Sequence, residues 1–320
     1  MIKCILCDDD QVRFYDNYKL NVTSDKEYFG ETKIYTCKKC EIGFCDPMPK
    51  KEKLNYFYNQ IYRSAGRPHQ INFDALENDL YSFRNLNYIQ YLTTFIDFKN
   101  IKSILDFGSG LGDIGFLLKK KFSHLKLFSC ENDKYCRKVL NERTYKVFDY
   151  NNFDKVEEKF DLIISTHSLE HMVNFDLIEV FKKKANPKSY LFIEVPNCPL
   201  NDEYKKRPFD SPHLMFFSKK SMHELYKKFN LKLLNLNYSS YSLNKSFKYM
   251  KQSKENYENW STFKKLEKKV KDLMRKIIPK IFFEFKHFLY EKNLNKLDYF
   301  VLNKNDSWCV RGLFKIEKDL

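Results

Sequence analysis

The chain has 320 residues, 43% of them hydrophobic, with nine cysteines and a formal net charge of +15. That apolar content supports a packed core and excludes a disordered chain, and the length suits one large domain with additions or two domains. The opening MIKCILCDDD has no apolar signal core, and no run of about 18 apolar residues follows, so a reduced, cytoplasmic protein without a transmembrane helix is expected.

Residues 1–50 carry Cys4-x-x-Cys7 and Cys37-x-x-Cys40, separated by 29 residues. Two such knuckles supply four thiolates, the tetrahedral set that Zn²⁺ prefers. A closed four-cysteine shell leaves no open position, so the metal is expected to be structural. Cys45 is spare and reads as a small buried residue. The module ends in DPMPKK, where Pro47 and Pro49 punctuate the chain.

Residues 51–98 read as a helical cap or linker. KLNYFYNQIY comes first, then a stretch with Leu76, Leu80, Phe83, Leu86 and Tyr91 at roughly helical spacing. Residues 99–244 alternate short apolar runs with helical stretches. The strands are IKSILDF, LKLFSCE, YKVFD, KFDLIIST, SYLFIEVPN and LKLLNLNYS. Such alternation predicts right-handed crossovers and a doubly wound α/β sheet of Rossmann-like type, with ligands at the carboxyl ends of the strands.

Residues 245–300 form a basic helical insertion, and 301–320 hold a final strand, SWCVRGLFKIE. Residues 245–320 contain 19 Lys and Arg against 10 Asp and Glu, the larger part of the excess. A solvated or packing helix accounts for this stretch in a chain rich in Lys, Asn, Ile, Phe and Tyr. A membrane-surface, dimer or polyanion contact is the alternative.

The first core strand runs into Asp106-Phe107-Gly108-Ser109-Gly110-Leu111-Gly112. Glycines let the backbone approach a ligand closely. The spacing is G-x-G-x-G, not the dinucleotide G-x-G-x-x-G, and a carboxylate at the strand end suits a cationic ligand better than a pyrophosphate. Glu131 ends the second strand, 19 residues after Gly112, where a carboxylate can accept from both ribose hydroxyls.

In these motifs the chain resembles the class I S-adenosylmethionine-dependent methyltransferases. LDFGSGLG, CEND, FDYNNFD, FDLIISTHSLEHM and LFIEVPN stand in family order between residues 100 and 240. The resemblance implies a seven-stranded sheet whose last strand is antiparallel. It implies that Gly108, Ser109 and Gly110 cradle the methionine part and that Glu131 binds the ribose. Asp149 would lie beside the adenine amino group, and Ser165, Thr166 and His167 near the sulfonium. Asp106, Gly112, Asn132 and Tyr150, in the same motifs, complete the candidate cofactor set.

His167-Ser168-Leu169-Glu170-His171 also fits H-x-x-E-H, the inverted zinc-peptidase pattern. That site needs both histidines on one helix face. Here the pentapeptide follows DLIIST directly and belongs to a strand end, which sets the peptidase aside. Small-molecule O-methyltransferases of the superfamily, such as those of ubiquinone biosynthesis, carry E-x-x-E-H at this place, where the acidic residues and the His can hold a divalent metal. This chain has His167 for the first Glu, and Mg²⁺ prefers oxygen ligands. Three roles stay open for Glu170 and His171: base or acceptor-positioning group, metal ligand, or structural start of the next helix.

The D/N/S-P-P-aromatic motif of nucleobase amino-methyltransferases is missing after the fourth strand. SPHLMFFSKKSM resembles the H-x-x-x-F-S stretch of methyltransferases found with polysaccharide and natural-product genes. His213 heads it, as an acceptor-pocket residue or as a loop cap. A zinc ribbon followed by YFYNQIY resembles the sugar C-methyltransferases that act on nucleotide-linked keto-deoxysugars. In those, the N-terminal module covers the acceptor and a His or Tyr removes the proton α to the ketone.

The expectation is a zinc-stabilised S-adenosylmethionine-dependent methyltransferase acting on a small acceptor, with a sugar or nucleotide-sugar leading. His171, Glu170 and His213 are the candidate catalytic residues. Nucleic acid is not the favoured partner. An RNA or protein methyltransferase that holds a polymer on the ribbon and basic tail is the rival, and an inactive cofactor-binding module is the second.

Overall fold

A computed structural model describes residues 2–18, 26–29, 31–62, 80, 82–201, 212–239 and 308–317. Near the N-terminus, β1 (Val12–Asn17), a short helix (Lys26–Phe29), β2 (Lys33–Cys37) and β3 (Gly43–Asp46) form an antiparallel meander. A helix over Lys51–Tyr56 follows and widens into a π-turn over Phe57–Ile61. The helix over Phe83–Phe95 leads into the core and is capped by Ser82, which accepts from Asn85 N.

The core strands are β4 (Ser103–Phe107), β5 (Lys126–Cys130), β6 (Lys146–Phe148), β7 (Phe160–Thr166) and β8 (Ala185–Pro196), all parallel where they pair. After β9 (Met215–Phe216) come β10 (Lys232–Ser239) and the antiparallel β11 (Cys309–Ile316), giving a seven-stranded sheet of order β10-β11-β8-β7-β4-β5-β6. The strand order reverses at β4, which β5 and β7 flank on either side. Ligand crevices of open α/β sheets form there.

The continuous apolar runs have a structural cause. All five residues of β4 are buried, as are Leu162, Ile163 and Ile164 of β7, because helices cover both faces. The crossover helices run over Asp113–Lys121, Lys134–Glu142 and Asp176–Lys184. Asp133 caps the second by accepting from Cys136 N at 2.9 Å. Lysines at 119–121 and 182–184 close the first and third, complementing the helix dipole. A further helix, Lys219–Lys228, starts with a Ser218–Ser221 capping box.

The N-terminal meander does not stand apart from the core. β9, which lies between the core strands β8 and β10 in sequence, pairs with β3 through Gly43↔Phe216 and Phe44↔Met215. Cys4, Cys37, Cys40 and Phe44 share one apolar cluster with Leu105, Phe107 and Ile163 of the core. None of the nine cysteines is in a disulfide. Among the described residues no helix is long and apolar enough to cross a membrane. The expected basic insertion, 245–300, lies outside the described residues, as does Leu76.

Candidate active site

The turn after β4 brings three glycines into left-handed backbone, with φ of +65° at Gly108, +55° at Gly110 and +71° at Gly112. Gly108 has no room for a side chain: a Cβ there would lie 2.2 Å from Ser168 Oγ. Gly110 is the opposite, with nothing within 4 Å of that position, so its backbone faces open space. Glu131 ties the turn to β5. Its Oε2 accepts from Gly110 N at 2.8 Å and its Oε1 from Asp133 N at 2.9 Å. The Ser109 and Ser129 hydroxyls meet at 2.7 Å, and Gly108 N donates to Cys130 O at 2.9 Å.

Asp106 sits beneath this turn with 1% exposure, and its Oδ1 has no hydrogen-bond partner. Burial, then the charges of Asp113 and Glu131, push its carboxyl up to about 8. An unsatisfied buried acid beside an open cradle is the arrangement a cationic group would satisfy. Asp149 caps the 3-10 turn Tyr150–Lys155 by accepting from Asn151 N at 2.8 Å. Asn132 Oδ1 accepts from Tyr150 N at 3.3 Å, which joins the ends of β5 and β6.

Several of these groups line a cavity of about 480 Å³, within the range of small-ligand sites. Gly108, Gly110, Glu131, Asn132 and Tyr150 form one part of its wall, and His167 and His171 another. Tyr58 in the π-turn, Tyr62 just after it, and Lys51 in the preceding helix also line it. The N-terminal segment therefore covers the carboxyl edge of the sheet.

HSLEH does not lie on a helix. β7 ends at Thr166, His167 turns into left-handed backbone at φ +53°, and only Leu169–His171 make a 3-10 turn. The two histidines thus have separate settings. The His171 ring packs 4.9 Å from the His213 ring and 5.8 Å from that of Tyr58. His167 points instead between Glu170 and Glu194, with each carboxylate 3.4 Å away. Ser165 Oγ is buried with no hydrogen-bond partner.

Glu170 and Glu194 are each 1% exposed. Burial alone would raise both acids, but His167 and His171 hold Glu170 down to about 2, and Arg311 with His167 holds Glu194 low. Burial, then the nearby His171, push the His213 imidazole down to about 3, so it is neutral at pH 7. Its Nδ1 has no hydrogen-bond partner. Burial opposes charge on His167 too, but its contacts with Cys309, Glu170 and Glu194 win and raise it well above the ordinary histidine value.

The four knuckle cysteines converge. Cys4 Sγ lies 3.5 Å from Cys40 Sγ, Cys7 Sγ 3.6 Å from Cys37 Sγ, and all four lie within 4.8 Å of one another. A tetrahedron with Zn–S bonds of about 2.3 Å has edges of about 3.8 Å. The donor set and its size fit zinc.

Residues 81–236 match a family model described as a methyltransferase domain. The protein carries a methyltransferase domain. Solved structures similar to it include a plantazolicin methyltransferase in complex with S-adenosylhomocysteine, at 12% identity over 83% of this chain and 98% of that one, TM-score 0.48. A coclaurine N-methyltransferase is 17% identical over 71% of each chain, TM-score 0.44. A SAM-dependent methyltransferase from Archaeoglobus fulgidus is 15% identical over 76% of this chain and 99% of that one, TM-score 0.43. No curated protein matches the chain.

The methyltransferase's sequence-predicted residues fall into three groups in space. The cysteines form one. Gly108, Ser109, Gly110, Glu131 and Asn132 gather at the glycine turn. Glu170 and His213 gather around the cavity-lining His171, with the nitrogen and oxygen atoms of the three within 4.8 Å of one another. Reading the sequence missed Glu194, Arg311 and Tyr88, a buried network behind His167. The charged Arg311 in a strand-like run was the available signal, since an arginine in a buried strand needs a carboxylate.

Proposed function

We propose that the methyltransferase acts on a small acceptor, with a sugar or nucleotide-sugar the leading class, by carbon or oxygen methylation. One observation carries the reading: a single cavity joins the Gly110–Glu131 cradle to His171, with the neutral His213 ring beside it. When bound, S-adenosylmethionine supplies a methyl group activated by its sulfonium. Asp106 and the Gly108–Gly110 turn hold its amino-acid part, the acid accepting from the ammonium. Glu131 accepts from the ribose hydroxyls with the lone pairs its two backbone donors leave. Asn132, Asp149 and Tyr150 bound the adenine end, and Ser165 to His167 bound the sulfonium end.

On the acceptor side, His171 and His213 are the candidate bases, oriented by Glu170. A neutral imidazole takes the acceptor's proton as the new bond to carbon forms, and positioning supplies most of the acceleration. Tyr58 and Tyr62 cover this end and exclude water. The module over 1–50 holds zinc through Cys4, Cys7, Cys37 and Cys40 as a structural ion, with 51–98 the cap and 99–244 plus 301–320 the catalytic core. The resemblance to sugar C-methyltransferases supports the acceptor class, and the covering position of the N-terminal segment agrees with it.

Calorimetric titration with S-adenosylmethionine tests the cofactor half. Glu131→Ala is expected to weaken binding ten-fold or more, about 1.4 kcal/mol. Undetectable binding to the folded, zinc-loaded wild type would sink the reading. Turnover of nucleotide-linked keto-sugars, followed by methyl incorporation, tests the acceptor half.

A further inference from the structure

His167 stands among ionisable groups from several elements. Its Nδ1 lies 3.4 Å from Glu170 Oε1, in the turn that follows it. Its Nε2 lies 3.4 Å from Glu194 Oε1 on β8 and 3.7 Å from Cys309 Sγ on β11. Behind Glu194 stand Arg311 of β11 and Tyr88 of the 83–95 helix, with Arg84 of that helix contributing charge. On the cavity side, beyond Glu170, stand His171 and His213.

The two carboxylates are not equally provided for. Glu194 Oε2 accepts from Arg311 Nε at 2.8 Å and from Ser239 Oγ at 2.7 Å, and its Oε1 accepts from the Tyr88 hydroxyl. Neither oxygen of Glu170 accepts a well-formed hydrogen bond. Its neighbouring cationic candidates are His167, at 3.4 Å, and His171, at 4.0 Å. Two buried carboxylates served by one guanidinium call for a second cation. The His167 main chain is committed to the task as well. Its N–H donates to Glu194 O at 2.9 Å, and its backbone accepts the left-handed conformation that a side-chain-bearing residue adopts at some cost.

We infer that His167 is a permanently charged imidazolium, a positioning residue that locks Glu170 and keeps the buried His213 in its neutral, proton-accepting form. The electrostatic logic is cancellation. A lone Glu170 anion would draw a proton onto an imidazole beside it, which would disable a base. Paired with a fixed cation, Glu170 presents a nearly neutral unit to the cavity while its position stays set. Its purpose rests on the methyl-transfer reading above, but its charge state does not.

The test is a pH titration of ¹⁵N-labelled histidine side chains by NMR on the full-length, zinc-loaded protein, with no ligand added. Wild type is compared with His167→Gln and His167→Lys, and His171 and His213 are assigned from their own single variants. One imidazole, missing from His167→Gln, is expected to stay doubly protonated at least one unit above the ordinary histidine value of about 6.5. In His167→Gln, the His171 and His213 pair is expected to take up a proton about ten-fold more readily, and His167→Lys to restore the wild-type titration. Turnover should show the same change as an acidic limb moved to higher pH.

A neutral His167 at pH 7 would overturn the inference. So would unchanged His171 and His213 titrations in His167→Gln. A second divalent ion per chain, released by Glu170→Gln, would also overturn it, since a metal would then balance Glu170. If His167→Gln fails to fold, Glu170→Gln serves instead: the His167 ring should then lose its proton at lower pH, and an unchanged ring counts against the inference. A protein with these titrations that binds no S-adenosylmethionine would sink the methyl-transfer reading and leave this one standing.

Discussion

The Tyr18 hydroxyl, in the N-terminal module, donates a 2.7 Å hydrogen bond to the main-chain carbonyl of His213, whose ring packs against that of the cavity-lining His171. The same loop is held at Leu214, whose carbonyl accepts from Cys45 N at 2.9 Å and whose N–H donates to Glu170 O at 2.8 Å. The module that carries the four cysteines is thus the clamp that fixes a candidate base. Removing the metal should therefore reach the chemistry without touching the cofactor cradle. Cys37→Ser is expected to lose the bound ion, lower the melting temperature and cut turnover at least ten-fold. Affinity for S-adenosylmethionine should stay within about two-fold. Metal analysis, thermal denaturation and calorimetry on the same preparation check this. Tyr18→Phe, which deletes one hydrogen bond, should cost only about 1 kcal/mol of stability.

Asp106 carries a penalty in the cofactor-free protein. Its folded value of about 8 stands above the ordinary 3.8, so the folded state binds the extra proton. The contribution to stability is therefore lost as pH rises from about 3.8 and is fully lost above about 8. Asp106→Asn does not titrate and should stabilise the protein by about 1–3 kcal/mol near pH 8, with little effect near pH 4. It should also weaken S-adenosylmethionine binding, because the ammonium loses its carboxylate. Urea denaturation across pH, paired with calorimetry, separates the two effects. In the wild type, binding should release a proton, visible as a heat that varies with the buffer's ionisation enthalpy.

Much of this site was legible in the sequence where the pattern is local. Leu162-Ile163-Ile164 is an unbroken apolar run, which tied HSLEH to a strand end, and the glycine turn lay between a strand and a helix. The four cysteines announced their own convergence. The long-range pairings were not legible. Tyr18 meets His213 across 195 residues, and Arg311 meets Glu194 across 117. No periodicity encodes such contacts, since they depend on how finished elements pack. The pairing of β3 with β9 belongs to the same class, because Met215 and Phe216 form too short a strand to stand out. The left-handed backbone at His167 has no signal in residue type, and it is what sends that ring toward Glu194 while His171 stays at the cavity.

Arg311 and Glu194 form a buried ion pair, with Arg311 Nη2 2.7 Å from Glu194 Oε2 and Arg311 Nη1 donating to Asn87 Oδ1 at 2.6 Å. Removing one partner leaves an uncompensated charge in an apolar interior. Arg311→Met is expected to destabilise the fold by about 3–5 kcal/mol. Adding Glu194→Gln to the same chain should return most of that loss, because the stranded charge goes with it. Chemical denaturation of both variants reads the difference. Equal stability of the single and double variants would show that packing of the arginine stem, not charge, is what the single change removes.

Glu131 lines the cavity at the glycine turn, whereas His213 packs against the cavity-lining His171, so binding and chemistry should separate by mutation. Burial and His171 keep the His213 imidazole neutral at pH 7, ready to accept a proton. It contributes nothing to the glycine turn. His213→Ala is expected to leave S-adenosylmethionine affinity within about two-fold while lowering the transfer rate by roughly 10²–10⁴, the usual loss for a general base. Glu131→Ala should do the reverse, weakening affinity and leaving the rate at saturating cofactor less affected. His171→Ala distinguishes the two imidazoles: the larger fall in rate identifies the base, and the smaller identifies the residue that orients it. Single-turnover methyl transfer at saturating cofactor gives the rate free of binding, and a transfer rate unchanged in both histidine variants would move the base to Tyr58 or to the acceptor itself.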